Sequence, residues 1–140
     1  MRVGDTLEPQ RFVVRRADLI RYAGAAGDLN PIHWSDRVAT SVGLPGVIAH
    51  GMFTLALAAR AVDAWTAGAE VVELGCKFTN PVAVPDDDAG AEILVAGTVK
   101  SVEEGRTTIT LEVTCRGQKV LGMPRAVVRV DADVPDALPR

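Results

Sequence analysis

Residues 51–68 read "GMFTLALAARAVDAWTAG", an alanine- and leucine-rich run with a glycine at either end. A 3.6-residue period over this run predicts a helix of about four turns. Its apolar residues go nearly all the way round, which predicts burial of most faces rather than of one stripe. The abundance of alanine points to close approach by other backbone, such as a sheet wrapped over the helix.

The chain changes character on either side of this run. Upstream, Asp18 is an N-cap or first-turn acid for a short helix "LIRYAGAAG" (19–27), which Gly27 can end. Pro31 keeps Asn30 out of the α region, so 28–33 is expected to be a tight turn or loop. Ser35 and Asp36 are good caps for a second short helix through about Val42, ended by "GLPG" (43–46). Downstream, "EVVELGCKFTNPVAV" (70–84), "AEILVAGTVKSVEEG" (91–105), "RTTITLEVTCRGQ" (106–118) and "KVLGMPRAVVRVD" (119–131) are rich in Val, Ile and Thr with partial alternation. "EEGR" (103–106) and "RGQK" (116–119) read as hairpin connections, hence antiparallel pairing. The sum is a helical first half and a strand-rich second half. We expect an α+β domain over 1–131, with an antiparallel sheet of four or more strands around a long helix. The last residues, "ADVPDALPR" (132–140), carry no periodic apolar face and are expected to be a loose tail.

Composition excludes several classes. The 140 residues carry 48% hydrophobic side chains, 24% charged ones and a net charge of −3, ordinary for one soluble domain. No Lys/Arg stripe is present and aromatics are only 4%, which argues against nucleic acid as a partner. Arg60 and Asp63 interrupt the longest apolar stretch, so a membrane span is not expected. The opening "MRVGDTLEPQRFVVRR" (1–16) has no apolar core of signal-peptide length. Cys76 and Cys115 stand alone, without metal-ligand spacing or a CxxC pair. The expectation is a cytoplasmic protein with two reduced, buried thiols, although spacing alone leaves a disulfide open. No phosphate-binding glycine loop, GxGxxG or GxSxG occurs.

Chemistry-bearing residues gather just before the long helix. "GDLNPIHWSD" (27–36) sets Asp28 and His33 five positions apart around an Asn30-Pro31 turn. Histidine titrates closest to neutral pH, and a nearby carboxylate can orient it or share proton transfer with it. Pro31 narrows the freedom of the turn, and Asn30 can hydrogen-bond back across it. The plainer alternative is a turn aspartate after Gly27 and a packed histidine before Trp34. Further on, "PGVIAHGM" (45–52) leads into the helix at Gly51. Free backbone N–H groups there, at the positive end of the helix, suit an oxygen gaining negative charge. Gly51 fits equally well as a simple close-packed helix start. His50 is either a ligand contact or a satisfied structural histidine, and Met52 and Thr54 are further candidate substrate contacts. Asp63 and Trp65 are expected to mark an exposed or interfacial helix end. The three aspartates 86–88 read as a solvated loop.

"YAGAAGDLNPIHWSD" (22–36) followed by "GLPGVIAHGM" (43–52) closely resembles the MaoC-like dehydratase and R-specific enoyl hydratase family. The look is that of the catalytic B subunits of mycobacterial-type (3R)-hydroxyacyl-ACP dehydratases. The resemblance runs from "VGDTLEPQRF" (3–12) to "GMPRAVVRV" (122–130). It implies a hot-dog fold, in which an antiparallel sheet wraps a central helix. It also implies interconversion of (3R)-hydroxyacyl and trans-2-enoyl thioesters of coenzyme A or acyl carrier protein, with no metal and no cofactor. Asp28 and His33 become the acid/base pair, Asn30 and Pro31 the loop support, and the Gly51 N–H the donor to the thioester oxygen. A homodimer, or a heterodimer with a second hot-dog subunit, is implied as well. The family fold leaves two alternatives, an acyl thioesterase or a non-catalytic acyl-binding subunit. One departure bears on substrate fit: several R-specific hydratases carry a serine about two turns into the helix, where this chain has "LAARA" (57–61). Thr54 is then the only early hydroxyl on it.

Overall fold

A computed structural model describes residues 1–130; the expected tail at 132–140 lies outside them. The order is β1 (Thr6–Val14), α1 (Arg16–Ala26), a 3-10 turn (Pro31–His33), α2 (Asp36–Ser41), α3 (Gly51–Thr66), β2 (Glu70–Phe78), β3 (Ala91–Glu103), β4 (Arg106–Cys115), β5 (Gln118–Lys119) and β6 (Leu121–Arg129). The strands form one antiparallel sheet in the order β1-β3-β4-β6-β2, with β5 pairing β4. This is the hot-dog arrangement, an antiparallel sheet around the central α3.

Both expected hairpins are present. Glu103 pairs with Arg106 across Glu104-Gly105, and Cys115 pairs with Gln118 across Arg116-Gly117. All four turn residues have positive φ, as a two-residue type I′ connection demands. Alternate residues of β3 and β4 point inward, so Ile93, Val95, Ile109 and Val113 become fully buried. Against them α3 packs Leu55, Leu57, Ala58, Ala61 and Val62. Burying each of the larger side chains contributes about 1.5–3 kcal/mol. Near the C-terminal end of α3, Trp65 lies against β3 at Gly97, where an added Cβ would stand 2.8 Å from the ring. Its indole Nε1 donates to the Glu8 carbonyl at 2.7 Å, tying the helix end to β1.

One expectation needs correction. The first half is not purely helical, because β1 opens the chain as an edge strand beside β3. Pro9 sits where the β1–β3 register shifts between Leu7 and Gln10, so its missing N–H interrupts no regular ladder. Most faces of α3 are buried or half-buried, as its composition predicts. Met52, Ala56, Arg60 and Asp63 form an exposed stripe, because the sheet curves over one side of the helix only. At the C-terminal end of α3, Asp63 is exposed, while Trp65 is half-buried and tethered.

Asp18 takes the first-turn role, its carboxylate accepting the Arg15 N–H at 2.8 Å. Gly27 ends α1 in the left-handed conformation at φ 70°. Cys76 is half-buried and Cys115 buried; both are free thiols, and burial pushes both up from their ordinary value. Among the described residues, no helix is long and apolar enough to cross a membrane.

One carboxylate organises the approach to α3. Asp36 accepts the Val47 N–H at 2.9 Å and the Arg16 guanidinium at 3.0 Å, while Arg16 Nε donates to the Val84 carbonyl at 2.6 Å. Residues 47–49 then pair with the other side: Ala49 N–H donates to Val82 O, and Val84 N–H to Val47 O, both at 2.9 Å.

The Val47 N–H and the Arg16 guanidinium hold the Asp36 carboxyl below its ordinary value of 3.8. Above that value both folded and unfolded chains are ionised there and the contribution is intact. Below it the unfolded chain takes up the proton first, so stability falls with falling pH. Asp36→Asn is expected to be less stable at neutral pH and to show a flatter loss below pH 3.8, measured by urea unfolding across pH. At Gly90, φ is +69° and an added Cβ would lie 2.3 Å from the Val14 carbonyl oxygen. Gly90→Ala is expected to lower stability by about 1–3 kcal/mol, and an unchanged unfolding midpoint would contradict this packing.

Candidate active site

The loop between α1 and α2 is locked by its own side chains. Asp28 Oδ1 accepts the Asn30 N–H and Asn30 Oδ1 accepts the Ile32 N–H, both at 3.2 Å. Trp34 Nε1 donates back to the Leu29 carbonyl at 3.1 Å. Pro31 begins the 3-10 turn, where a missing N–H costs nothing. The turn carries His33 inward, leaving it 7% exposed, while Asp28 stays at the surface.

His33 is held by the segment that leads into α3. Its Nδ1 lies 2.7 Å from the Ile48 carbonyl oxygen. A carbonyl only accepts, so Nδ1 carries the proton and the neutral ring keeps its lone pair on Nε2. The Ile48 N–H in turn donates to the Ile32 carbonyl at 3.2 Å. Loop and helix entry are therefore joined by bonds from the same residue, Ile48.

His50, the residue before α3, stacks on His33 with ring centroids 3.7 Å apart and planes 22° apart. Tyr22 of α1 tilts against His50 at 4.7 Å, and Phe53 of α3 against Tyr22 at 5.2 Å. Donor atoms of Asp28, His33 and His50 all lie within 4.8 Å of one another. Such a trio invites a test as a metal centre. Two imidazoles bind one ion when both ring planes contain it about 2 Å from nitrogen. Planes this nearly parallel, at this spacing, do not meet at such a point, so the pair is built as a stack and not as a chelate.

At Gly51, α3 presents its first turn. The Phe53 and Thr54 N–H groups both reach the His50 carbonyl, leaving those of Gly51 and Met52 ahead of the first intrahelical bond. An added Cβ at Gly51 would lie 2.8 Å from the Phe78 ring, so glycine lets the ring pack directly on the helix start. Asp28, His33, His50, Gly51, Met52 and Thr54 all border one cavity of about 410 Å³. Thr54 is buried and Met52 is exposed at its rim. Asn30 and Pro31 border no part of it and act on the loop. The stretch 86–88 lies elsewhere, exposed, with Asp87 accepting the Gly90 N–H.

Sequence reasoning missed the opposite wall of the cavity. Phe78 to Val82, together with Val120 and Leu121, comes from the strand half. Thr79 Oγ1 and Asn80 Nδ2 both donate to the Lys119 carbonyl, which fixes this wall. The Asn80-Pro81 dipeptide was its one turn signal, and nothing local places it opposite a loop fifty residues earlier.

Comparison with known proteins agrees with this architecture. Residues 2–117 match the family model described as a MaoC like domain. The 3-hydroxyacyl-thioester dehydratase X of Mycobacterium tuberculosis is 41% identical over 81 residues, covering 56% of this chain and 28% of that protein. A solved MaoC-like dehydratase superposes with a TM-score of 0.88 at 36% identity, covering 94% of this chain and 41% of its own. A C-terminally truncated HadBC (3R-hydroxyacyl-ACP dehydratase) complex from Mycobacterium tuberculosis shares the fold at a TM-score of 0.69 and 20% identity, covering 89% of this chain and 94% of its own. The chain thus spans well under half of the first two relatives' lengths. By fold and sequence together, it belongs to the MaoC-like family.

Proposed function

We propose that the protein is a (3R)-hydroxyacyl-thioester dehydratase, equally a trans-2-enoyl-thioester hydratase, acting in fatty-acid metabolism. One observation carries the reading. A carboxylate and an imidazole, with donor atoms within 4.8 Å, border the same cavity as the free first turn of a helix. Dehydration needs a proton taken from C2, charge accommodated on the thioester oxygen, and a proton given to the departing C3 hydroxyl. His33 offers Nε2, since Nδ1–H is committed to Ile48. Asp28 completes the pair. The C2–H electrons move into the C1–C2 bond as charge builds on oxygen, where the Gly51 N–H and the helix end stabilise it. Collapse of that charge forms the C2–C3 double bond and expels hydroxide, which takes a proton from the pair and leaves as water. Hydration is the reverse.

Ile48, Val82, Val120 and Leu121 give the cavity the apolar surface that an acyl chain needs. Met52 and Thr54 are candidate contacts to the substrate, which we assign as a thioester of coenzyme A or acyl carrier protein. Residues 1–131 would serve as one domain, and the setting would be cytoplasmic. The exposed α3 stripe and the β2 edge of the sheet are the surfaces a second hot-dog subunit would cover.

Asp28→Asn and His33→Ala are each expected to lower hydration of trans-2-enoyl-CoA by about 10²–10⁴-fold. Gly51→Ala, which pushes a methyl against Phe78 beside the donor, is expected to cost about 10²-fold. Loss of enoyl absorbance is the assay. Thiol release with the enoyl bond untouched would replace this reading with a thioesterase. Native mass spectrometry checks the pairing: a dimer, alone or with a co-expressed hot-dog subunit, is expected, and a persistent monomer contradicts it.

A further inference from the structure

We propose that His50 is a positioning residue that ties the Asp28 backbone to the ring of His33. The proposal rests on the dehydratase reading and assigns a buried histidine that the acid/base steps leave unused.

His50 stands at the N-cap of α3 yet makes no side-chain capping bond, so it does not do what that position usually rewards. It is only 2% exposed. Its Nε2 lies 3.3 Å from the Asp28 carbonyl oxygen, which fixes the proton on Nε2. Nδ1 is then the lone-pair nitrogen, and it is buried without a hydrogen-bond partner. A second proton there would be a buried charged donor with nothing to accept it. Burial holds the His50 ring below its ordinary value of 6.5; the neighbouring His33 acts in the same direction, and Asp28 opposes. Tyr22, from α1, faces the ring edge-tilted. A doubly protonated His50 is therefore disfavoured beside His33, the ring that exchanges the proton in the proposed reaction.

Two consequences follow from that neutrality. A neutral ring stacked at 3.7 Å offers its π face to a developing imidazolium, whereas a charged one would repel it. The tie also refers the whole constellation to one short segment. Ile48 holds the His33 ring, His50 holds the Asp28 backbone, and Gly51 supplies the oxygen donor. Acid, base and oxyanion donor are thereby referred to three positions, 48, 50 and 51, of one four-residue segment. Small errors in such a reference are costly, since about 1 Å of misplacement can lose about 10²-fold in rate.

Two variants separate the two roles. His50→Phe keeps a ring under His33 and removes the donor; His50→Gln keeps a donor and removes the ring. Both are expected to lower kcat on trans-2-enoyl-CoA by about 10²-fold, with KM changed by about twofold or less. Only His50→Gln is expected to move the acid limb of the pH–rate profile, towards lower pH. Unchanged kcat in both, or a raised KM at unchanged kcat, overturns the proposal and makes His50 structural or a substrate contact. Nitrogen-15 NMR of the unmodified protein decides the issue if the variants fail to fold. The His50 ring is expected to be the neutral Nε2–H tautomer at neutral pH, taking up a second proton only below its ordinary value of 6.5. An Nδ1–H tautomer, or a doubly protonated His50 ring at neutral pH, refutes it. That measurement stands even if the unmodified protein hydrates no enoyl thioester, a result that would overturn the dehydratase reading instead.

Discussion

The closeness of α3 to the sheet governs everything else in this molecule. Ala58 and Ala61, both fully buried, present almost no side chain to the strands they face. Gly97 leaves room on β3 for the Trp65 ring. With bulkier residues at these positions the sheet could not close down on the helix, and the inward rows of β3 and β4 would lose their partner surface. The helix axis is thereby fixed, and so is the place where its first turn emerges. That turn is the only part of α3 whose backbone donors are free for outside use.

The site follows from where that free end meets the loop before it. A helix N-terminus is a weak positive pole, with little effect where water is plentiful. Here it opens into a cavity with Ile48, Val82, Val120 and Leu121 around it, where such a pole acts with less screening. The neighbouring loop is stiffened by Asn30, Pro31 and Trp34, each through a different local device. The Asp36 carboxylate then fastens α1, α2 and the entry segment together. Rigidity thus comes from short local bonds, and chemistry from what those bonds leave unpaired.

Much of this was legible in the chain itself, for identifiable reasons. The long helix, the two hairpins and the turn over 28–33 are each encoded by residues close in sequence: alanine periodicity, Glu-Gly and Arg-Gly corners, Asn-Pro. The first strand was not legible. "TLEPQRFVV" mixes charge, proline and apolar residues, because an edge strand with a bulge needs neither regular alternation nor a full set of donors. The exposed stripe of α3 was hidden for a different reason. Met52 and Ala56 are apolar enough to look like core, and only the one-sided curvature of the sheet leaves them out. As for the candidate site, the motifs single out Asp28, His33 and Gly51, which border one cavity, while the wall from Phe78 to Val82 was invisible. Its placement depends on bonds to Lys119, and long-range pairing leaves no local trace. The same holds for the His33–His50 stack, seventeen residues apart in sequence and in contact in space.

The contact between Gly51 and Phe78 also constrains how such a protein can change over generations. A single step from glycine to alanine at 51 meets the phenylalanine ring at 2.8 Å, so that exposed ring must turn aside to admit it. A smaller residue at 78 removes the demand. The two positions are therefore linked in how they vary, although they stand 27 positions apart. Among diverging descendants, a side chain at 51 should arise more readily on backgrounds where 78 has already shrunk.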